Sequence, residues 1–299
     1  MDISVIIPTY NSARYISEAV NSVLEQTFKA FEVLVIDDGS TDETEAIMSR
    51  YSAPVRYIRQ QNAGVAAARN RGIEESRGRY VAFLDADDTW FPHKLERQLD
   101  ALDKNRGCRI CYSAFTVVDS TLAPLFINRS DRRDTALKDL LLRGNIVGSI
   151  CTVLAERSLF SAVGGFDPTL SQCADWDMWI RLAVHTDFSY IDESLVTYRH
   201  HGEMMSKNAS LLESDSVRVL EKGFAMPDLA PSLRARRRIA FARNYMVLAG
   251  TYFHARLYRD FVRCAARSLA MDIRQGGYLV TFPVRLASRF RPHHSAEGA

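Results

Sequence analysis

Three carboxylates within four positions, Asp85, Asp87 and Asp88, close an apolar run from Tyr80 to Leu84. A buried strand reads this way when it delivers acids to the edge of a sheet. Ionised carboxylates packed so closely repel one another, and in a partly buried place a cation usually neutralises them. Carboxylates suit hard divalent ions such as Mg²⁺ or Mn²⁺, which also hold phosphates. The same run also reads as a strand followed by an Asp-rich turn, because Asp starts turns well. Two further acids, Asp37 and Asp38, end the β-rich run Phe31–Ile36, and Asp175 stands near the start of the segment Ala174–Leu182. There Asp175 reads as a helix N-cap or first-turn acid.

The elements that must carry these acids alternate. Ile3–Ile7 is a β-rich run closed by Pro8, and Asn11 or Ser12 is placed to cap a helix bearing Ile16, Val20, Val23 and Leu24. Strand Phe31–Ile36 precedes a helix to about Tyr51. Strand Val55–Ile58 precedes the turn Gln61–Gly64 and a helix containing Ala66, Ala67, Ala68, Arg69 and Asn70. Gly78 then breaks the chain before Tyr80–Leu84. This pattern predicts a mostly parallel sheet with helices on both faces, in which ligands lie beyond the carboxyl ends of the strands. Thr9-Tyr10-Asn11, Asp37-Asp38 and Asp85-Asp87-Asp88 all fall at such ends. No G-x-G-x-x-G follows the first strand and no Walker lysine loop is present, which disfavours dinucleotide cofactors and P-loop nucleotide hydrolysis.

Further on, the spacing predicts a helix over Pro92–Lys104, a strand over Arg109–Val118, a helix over Asp134–Arg143 and a strand over Cys151–Leu154. Gly164–Pro168 reads as a tight loop, Ala174–Leu182 as a helix and Phe188–Tyr198 as a last strand before Arg199-His200-His201. Trp176, Trp179, Ile180 and Ala183 share one helical face, which reads as core rather than as a sugar platform.

With 299 residues, 47% apolar and 25% charged, the chain is long enough for one large domain and a smaller piece. Its net charge of +2 is unevenly spread: Pro231–Ala299 holds 13 Arg, no Lys and 3 acids, leaving −8 on the first 230 residues. An acidic body with an Arg-rich tail suggests that the tail has its own anionic partner. Leu211–Phe224, Ser232–His254 and Arg256–Met271 read as helices. Beyond Gly276-Gly277, Leu279, Phe282, Leu286 and Phe290 alternate with Arg285, Arg289 and Arg291. Near 278–291 this predicts an interfacial amphipathic helix on an anionic membrane surface, with a solvated basic tail as the other reading. Nucleic acid is disfavoured, because no aromatic reading motif accompanies the arginines. Five cysteines without framework spacing point to a reducing compartment. Cys108 and Cys111 form a lone C-x-x-C that reads as packing. With no secretory leader at Asp2–Pro8 and no run of about 18 apolar residues, a cytoplasmic protein is expected, held peripherally on the inner face of the cell membrane if the tail binds lipid.

Taken together, these residues resemble the family-2 inverting glycosyltransferases with a GT-A fold. The resemblance rests on Ser4–Asn11, Asp37–Asp42, Asn62-Ala63-Gly64 with Ala68–Gly72, Asp85–Asp88, Gly164–Asp167, Asp175-Trp176-Asp177 and Tyr198–His201, in that order. It runs from about Ile3 to Ser206, so it implies a GT-A domain over 1–206 and a helical, Arg-rich region over 207–299. It also implies a nucleotide-diphosphate sugar donor, a saccharide or lipid-linked acceptor, and a place in cell-surface polysaccharide or glycolipid synthesis. By the resemblance Pro8, Thr9, Tyr10 and Asn11 line the nucleotide, with Gly64 and Arg69 nearby, and Asp38 contacts the base. A carboxylate there accepts the uracil imide N–H, which favours UDP. Asp85, Ala86 and Asp87 form the D-x-D, while Asp87, Asp88 and His201 are the implied ligands of Mn²⁺ or Mg²⁺. Asp175 matches the catalytic base, although Ala174 stands where the family has Glu. Arg69 and Arg199 are placed to meet a phosphate or to form structural ion pairs. The rival readings are a catalytically silent sugar-nucleotide-binding protein and a nucleotidyltransferase. The latter needs a basic residue in the first loop, and Thr9–Ser12 has none.

Overall fold

The computed structural model describes residues 2–200 and 208–278. The chain divides into two compact units, Met1–Ala225 and Met226–Ala299.

In the first unit the expected alternation is present: β1 (Ile3–Thr9), α1 (Ile16–Leu24), β2 (Phe31–Asp37), α2 (Thr44–Met48), β3 (Val55–Arg59), α3 (Val65–Glu75) and β4 (Tyr80–Phe83). Next come β5 (Thr89–Trp90), α4 (Lys94–Lys104), β6 (Cys108–Val118), β7 (Pro124–Asn128) and α5 (Ala136–Arg143). The unit continues with β8 (Leu154–Glu156), α6 (Arg157–Val163), α7 (Ala174–Leu182), β9 (Asp187–Arg199) and α8 (Ala209–Ala225). All seven residues of β1 and of β2 are buried, so both sheet faces are covered there. Each enclosed Val, Leu or Ile contributes about 1.5–3 kcal/mol relative to exposure.

Among the described residues the sheet runs β3-β2-β1-β4-β8-β6-β9-β5, with β7 also on β6. β1 to β4 pair in parallel, β8 is antiparallel to β4 and β6, and β9 is parallel to β6. The helices approach closely where side chains are small. Ala66, Ala68 and Gly72 are buried on α3, and a Cβ on Gly72 would lie 2.4 Å from Ile6 Cγ2. This is a GT-A architecture, a curled and mostly parallel sheet with a helical C-terminal region.

Several local expectations are corrected. Pro8 does not close β1; it pairs with Ile36 inside the strand. Neither Asn11 nor Ser12 caps α1, whose N-cap is Tyr15. Asn11 instead takes φ of +49° and accepts a hydrogen bond from Thr41 N–H at 2.8 Å, bending the loop toward β2. Cys151–Leu154 is not one strand: Ile150–Thr152 forms a single 3-10 turn, with Ser149 Oγ accepting from Cys151 N–H, before β8 begins. Trp176 and Trp179 are core, 6% and 0% exposed. α8 packs on α5 and α7 in this unit.

In the second unit α9 (Pro231–Arg234) leads to α10 (Arg237–His254), which pairs with α11 (Tyr258–Met271). The buried Ser268 hydroxyl donates to Ala242 O at 2.6 Å across that pair. No helix among the described residues is long and apolar enough to cross a membrane. The amphipathic segment expected near 278–291 lies outside the described residues but for Tyr278, and so does His201.

Candidate active site

β2, β1 and β4 are neighbours, and their register places Thr9 opposite Asp37 and Ile6 opposite Phe83. The loops that leave these three strands therefore meet at one edge of the sheet. Those after β1 and β2 are tied together: Asn11 N–H donates to Ser40 Oγ (2.9 Å), Ser12 N–H to Thr44 Oγ1 (3.1 Å) and Ala13 N–H to Asp42 Oδ2 (2.9 Å). Tyr10 at the tip stays half exposed.

Asp38 is buried, and its carboxylate accepts from Gln60 Nε2 (2.8 Å), Ala63 N–H (2.9 Å) and Gly64 N–H (2.7 Å). Gly64 takes φ of +89°, a left-handed conformation that glycine adopts without a Cβ penalty, and begins α3. Asp38 thus fixes the loop that presents α3 to the site. Its neighbour Asp37 is taken up by Ser40 N–H and the Tyr57 hydroxyl.

The D-x-D turn is built across long sequence separations. Asp85 pairs with Arg69 Nη2 of α3 at 2.8 Å, and its N–H donates to the Cys151 sulfur at 3.2 Å. Ala86 is buried and Asp87 half-buried. Asp88 is 2% exposed; it accepts from Arg199 N–H (2.9 Å) and from the Cys151 thiol (3.1 Å). Burial, with Asp87 and Asp85 adding to it, pushes the Asp88 carboxyl well above the carboxylate range. Ligand atoms of Asp85, Asp88 and Cys151 lie within 4.8 Å of one another. A crowded, buried carboxylate of this kind fits a divalent cation, with the two acids as hard ligands. Of the sequence-level ligands Asp88 is in this group; among the described residues Asp87 is not. Arg199 is occupied internally, donating to Asp87 O (3.0 Å) and to Glu18 and lying over the Tyr15 ring, so it serves as a structural tether.

Asp175 sits in the first turn of α7, half-buried. Its Oδ1 accepts from Trp176 N–H (2.7 Å) and its Oδ2 from Asn145 Nδ2 (2.9 Å). Burial raises its pKa, and the Arg69 guanidinium opposes the rise. Arg69 faces both acids. Burial alone would lower its pKa, yet Asp85 and Asp175 hold it above its ordinary value. One buried arginine therefore joins the expected base to the D-x-D. Thr9 Oγ1 and Arg69 Nε, both buried, find no hydrogen-bond partner among the described residues, which leaves two donors at this edge for a ligand's oxygens.

Sequence reasoning missed Asn145, Cys151, Gln60 and Glu18. Each acts across 22 residues or more of chain and none stands in a motif.

Residues 4–162 match the family model for Glycosyl transferase family 2. The chain belongs to that family. A relative named as an uncharacterized glycosyltransferase of Rickettsia prowazekii is 34% identical over 229 residues, 74% of this chain and 71% of that one. One from Rickettsia bellii is 36% identical over 70% of this chain, but the match spans only 31% of that longer protein. TuaG of Bacillus subtilis, named for teichuronic acid biosynthesis, is 33% identical over 69% of this chain and 82% of its own length. Among solved structures, S. aureus TarS 1–349 in complex with UDP-GlcNAc superposes with a TM-score of 0.61 at 20% identity, covering 92% of each chain. That likeness establishes the fold.

Behind the site, Lys94 is fully buried, donates to Gln98 Oε1 (2.7 Å) and lies 3.9 Å from the Trp90 ring centroid. Burial pushes its amine from 10.5 down to about 7, with Cys151 and Cys111 opposing. The unfolded chain therefore binds this proton more tightly, and Lys94 makes stability rise between pH 7 and 10.5. Within that window the slope approaches about 1.4 kcal/mol per pH unit. Urea denaturation at pH 7 and pH 9 is expected to show a larger gain for the wild type than for Lys94→Met; equal gains would contradict the burial of this charge.

Proposed function

We propose that this chain transfers a sugar from a nucleotide-diphosphate sugar, a UDP-sugar, to an acceptor hydroxyl by direct displacement with inversion, assisted by Mn²⁺ or Mg²⁺. What carries the reading is the Asp175–Arg69–Asp85 cluster, which sets a carboxylate of raised pKa beside the acids that would receive the diphosphate end of a donor. The donor class is supported by the UDP-GlcNAc complex of TarS, and a saccharide or lipid-linked cell-surface acceptor by the name of TuaG.

In this reading Pro8–Asn11, Asp38 and Gly64 line the nucleotide, with Tyr10 exposed for contact with the base. Arg69 meets diphosphate oxygens through its free Nε while its Nη2 stays on Asp85. Asp85 and Asp88 would hold the cation, with Asp87 and, by the resemblance, His201 as further ligands. When bound, the cation offsets the charge left on the departing diphosphate. Cys151, kept protonated by burial, orients Asp88. The acceptor oxygen bonds to the anomeric carbon as the bond to the β-phosphate oxygen breaks, and the hydroxyl proton passes to Asp175. Because no protein nucleophile intervenes, the anomeric centre inverts.

A thermal-shift panel of nucleotide sugars with and without Mn²⁺ tests this. A UDP-sugar at about 100 times its Kd should stabilise the protein by about 2.7 kcal/mol, more so with the metal, and release UDP on incubation. If no nucleotide sugar raises the melting temperature or yields free nucleotide, the reading fails.

A further inference from the structure

Asn145 belongs to no motif, yet it makes the one side-chain hydrogen bond to Asp175 among the described residues, from Nδ2 to Oδ2 at 2.9 Å. Its own geometry is fixed. The carbonyl oxygen of the side chain accepts from Val147 N–H (3.2 Å) and Gly148 N–H (3.4 Å). An amide that accepts two backbone N–H groups on its oxygen must turn its NH₂ the other way, toward the carboxylate. The loop that bears it is anchored at both ends. On the α5 side, Leu140 O accepts from the Trp176 indole at 3.0 Å, binding α5 to the helix that carries Asp175. On the far side, Gly148 abuts Phe115 of β6, where a Cβ would lie 2.9 Å from the ring.

We propose that Asn145 is a positioning residue for sugar transfer: its side-chain amide fixes the Asp175 carboxylate so that its unused lone pairs face the acceptor hydroxyl. This inference rests on the assignment of Asp175 as the base. Oδ1 is oriented by the helix's own Trp176 N–H, so without Asn145 no other hydrogen bond among the described residues fixes the second oxygen. Asn145 also opposes the effect of burial on the base. Among the described residues, the charged groups facing Asp175 are Arg69 from α3, which lowers its pKa, and Asp85 from the end of β4, which raises it. The Cys173 thiol, just before α7, is also a neighbour and is pushed up beyond its usual range by burial. Removing the amide tips this balance upward.

The test compares full-length wild type, Asn145→Asp, Asn145→Ala and Asp175→Asn. Asn145→Asp keeps an acceptor for Val147 and Gly148, so it preserves the loop while replacing the donor by a like charge. Carboxyl signals of ¹³C-labelled aspartate, with the Asp175 resonance assigned by its loss in Asp175→Asn, should titrate at higher pH in both Asn145 variants. Turnover, read as UDP released from UDP-GlcNAc with Mn²⁺, should fall by about 10- to 100-fold, the scale of a misplaced catalytic group, with donor KM unchanged. The acid limb of the rate profile should move up with the carboxyl signal. An unmoved Asp175 titration in both variants overturns the role of Asn145 whatever the kinetics. A moved titration with Asp175→Asn as active as wild type overturns the base assignment, and the positioning role with it.

Discussion

Asp175→Asn is expected to slow transfer by roughly 10²- to 10⁴-fold, the usual contribution of a positioned general base, while the protein stays folded. The substitution keeps the shape of the side chain and an oxygen for Trp176 N–H, but its new NH₂ confronts the NH₂ of Asn145. One hydrogen bond is lost, worth about 1 kcal/mol, and Arg69 retains its pair with Asp85. Donor affinity should be nearly unchanged, because the carboxylate acts on the acceptor side. The pH dependence gives the sharper readout. A base must be deprotonated, and burial raises the Asp175 pKa against the pull of Arg69. Wild-type turnover should therefore fall on the acid side at a higher pH than an ordinary aspartate would give, and the variant should lose that limb. Turnover of the variant equal to that of the wild type, measured across the same pH range, would remove Asp175 from the chemistry.

The parts of this site that could be read in the sequence are those governed by local physics. Strands β1, β2 and β4 announce themselves as apolar runs because both faces of the sheet are covered. The acids stand out because they follow those runs abruptly. What could not be read depends on contacts distant in the chain. Asn145 follows the positive-φ Gly144 that ends α5, so in sequence it is an ordinary helix stop. Cys151 is a lone cysteine until the fold brings it between Asp85 and Asp88, 66 and 63 residues away. Asp38 has the residue type expected of a base contact, but its three donors from Gln60, Ala63 and Gly64 appear only once β3 has returned to the sheet. β7 gives no signal in the sequence because all five of its residues are exposed, so it carries no inside–outside alternation. Asn11 reads as a helix cap, and the left-handed turn it makes instead is stabilised by Thr41.

Two residues beyond Asp175, Asp177→Ala should act on stability and not on chemistry, with a loss of about 2–4 kcal/mol. Asp177 is 2% exposed, and it accepts from Arg181 Nε (2.9 Å) and Lys222 Nζ (2.6 Å). Deleting it strands two cations whose remaining partners only partly compensate. Arg181 keeps Val163 O and Gly165 O, and Lys222, 41% exposed, keeps Asp167. That retention places the loss below the cost of breaking a fully enclosed pair. Lys222 comes from α8, as do Asp215, which accepts from Ser171 and Gln172 N–H, and Arg218, which donates to Thr169. α8 therefore clamps the whole segment that leads into the Asp175 turn, so the first unit extends beyond the last strand. Urea midpoints of Asp177→Ala and Asp175→Asn should then separate the two roles: a large drop with residual turnover in the folded fraction for the first, and a small drop with lost turnover for the second. An Asp177→Ala protein as stable as wild type would show that α8 does not hold the Asp175 turn in place through this ion pair.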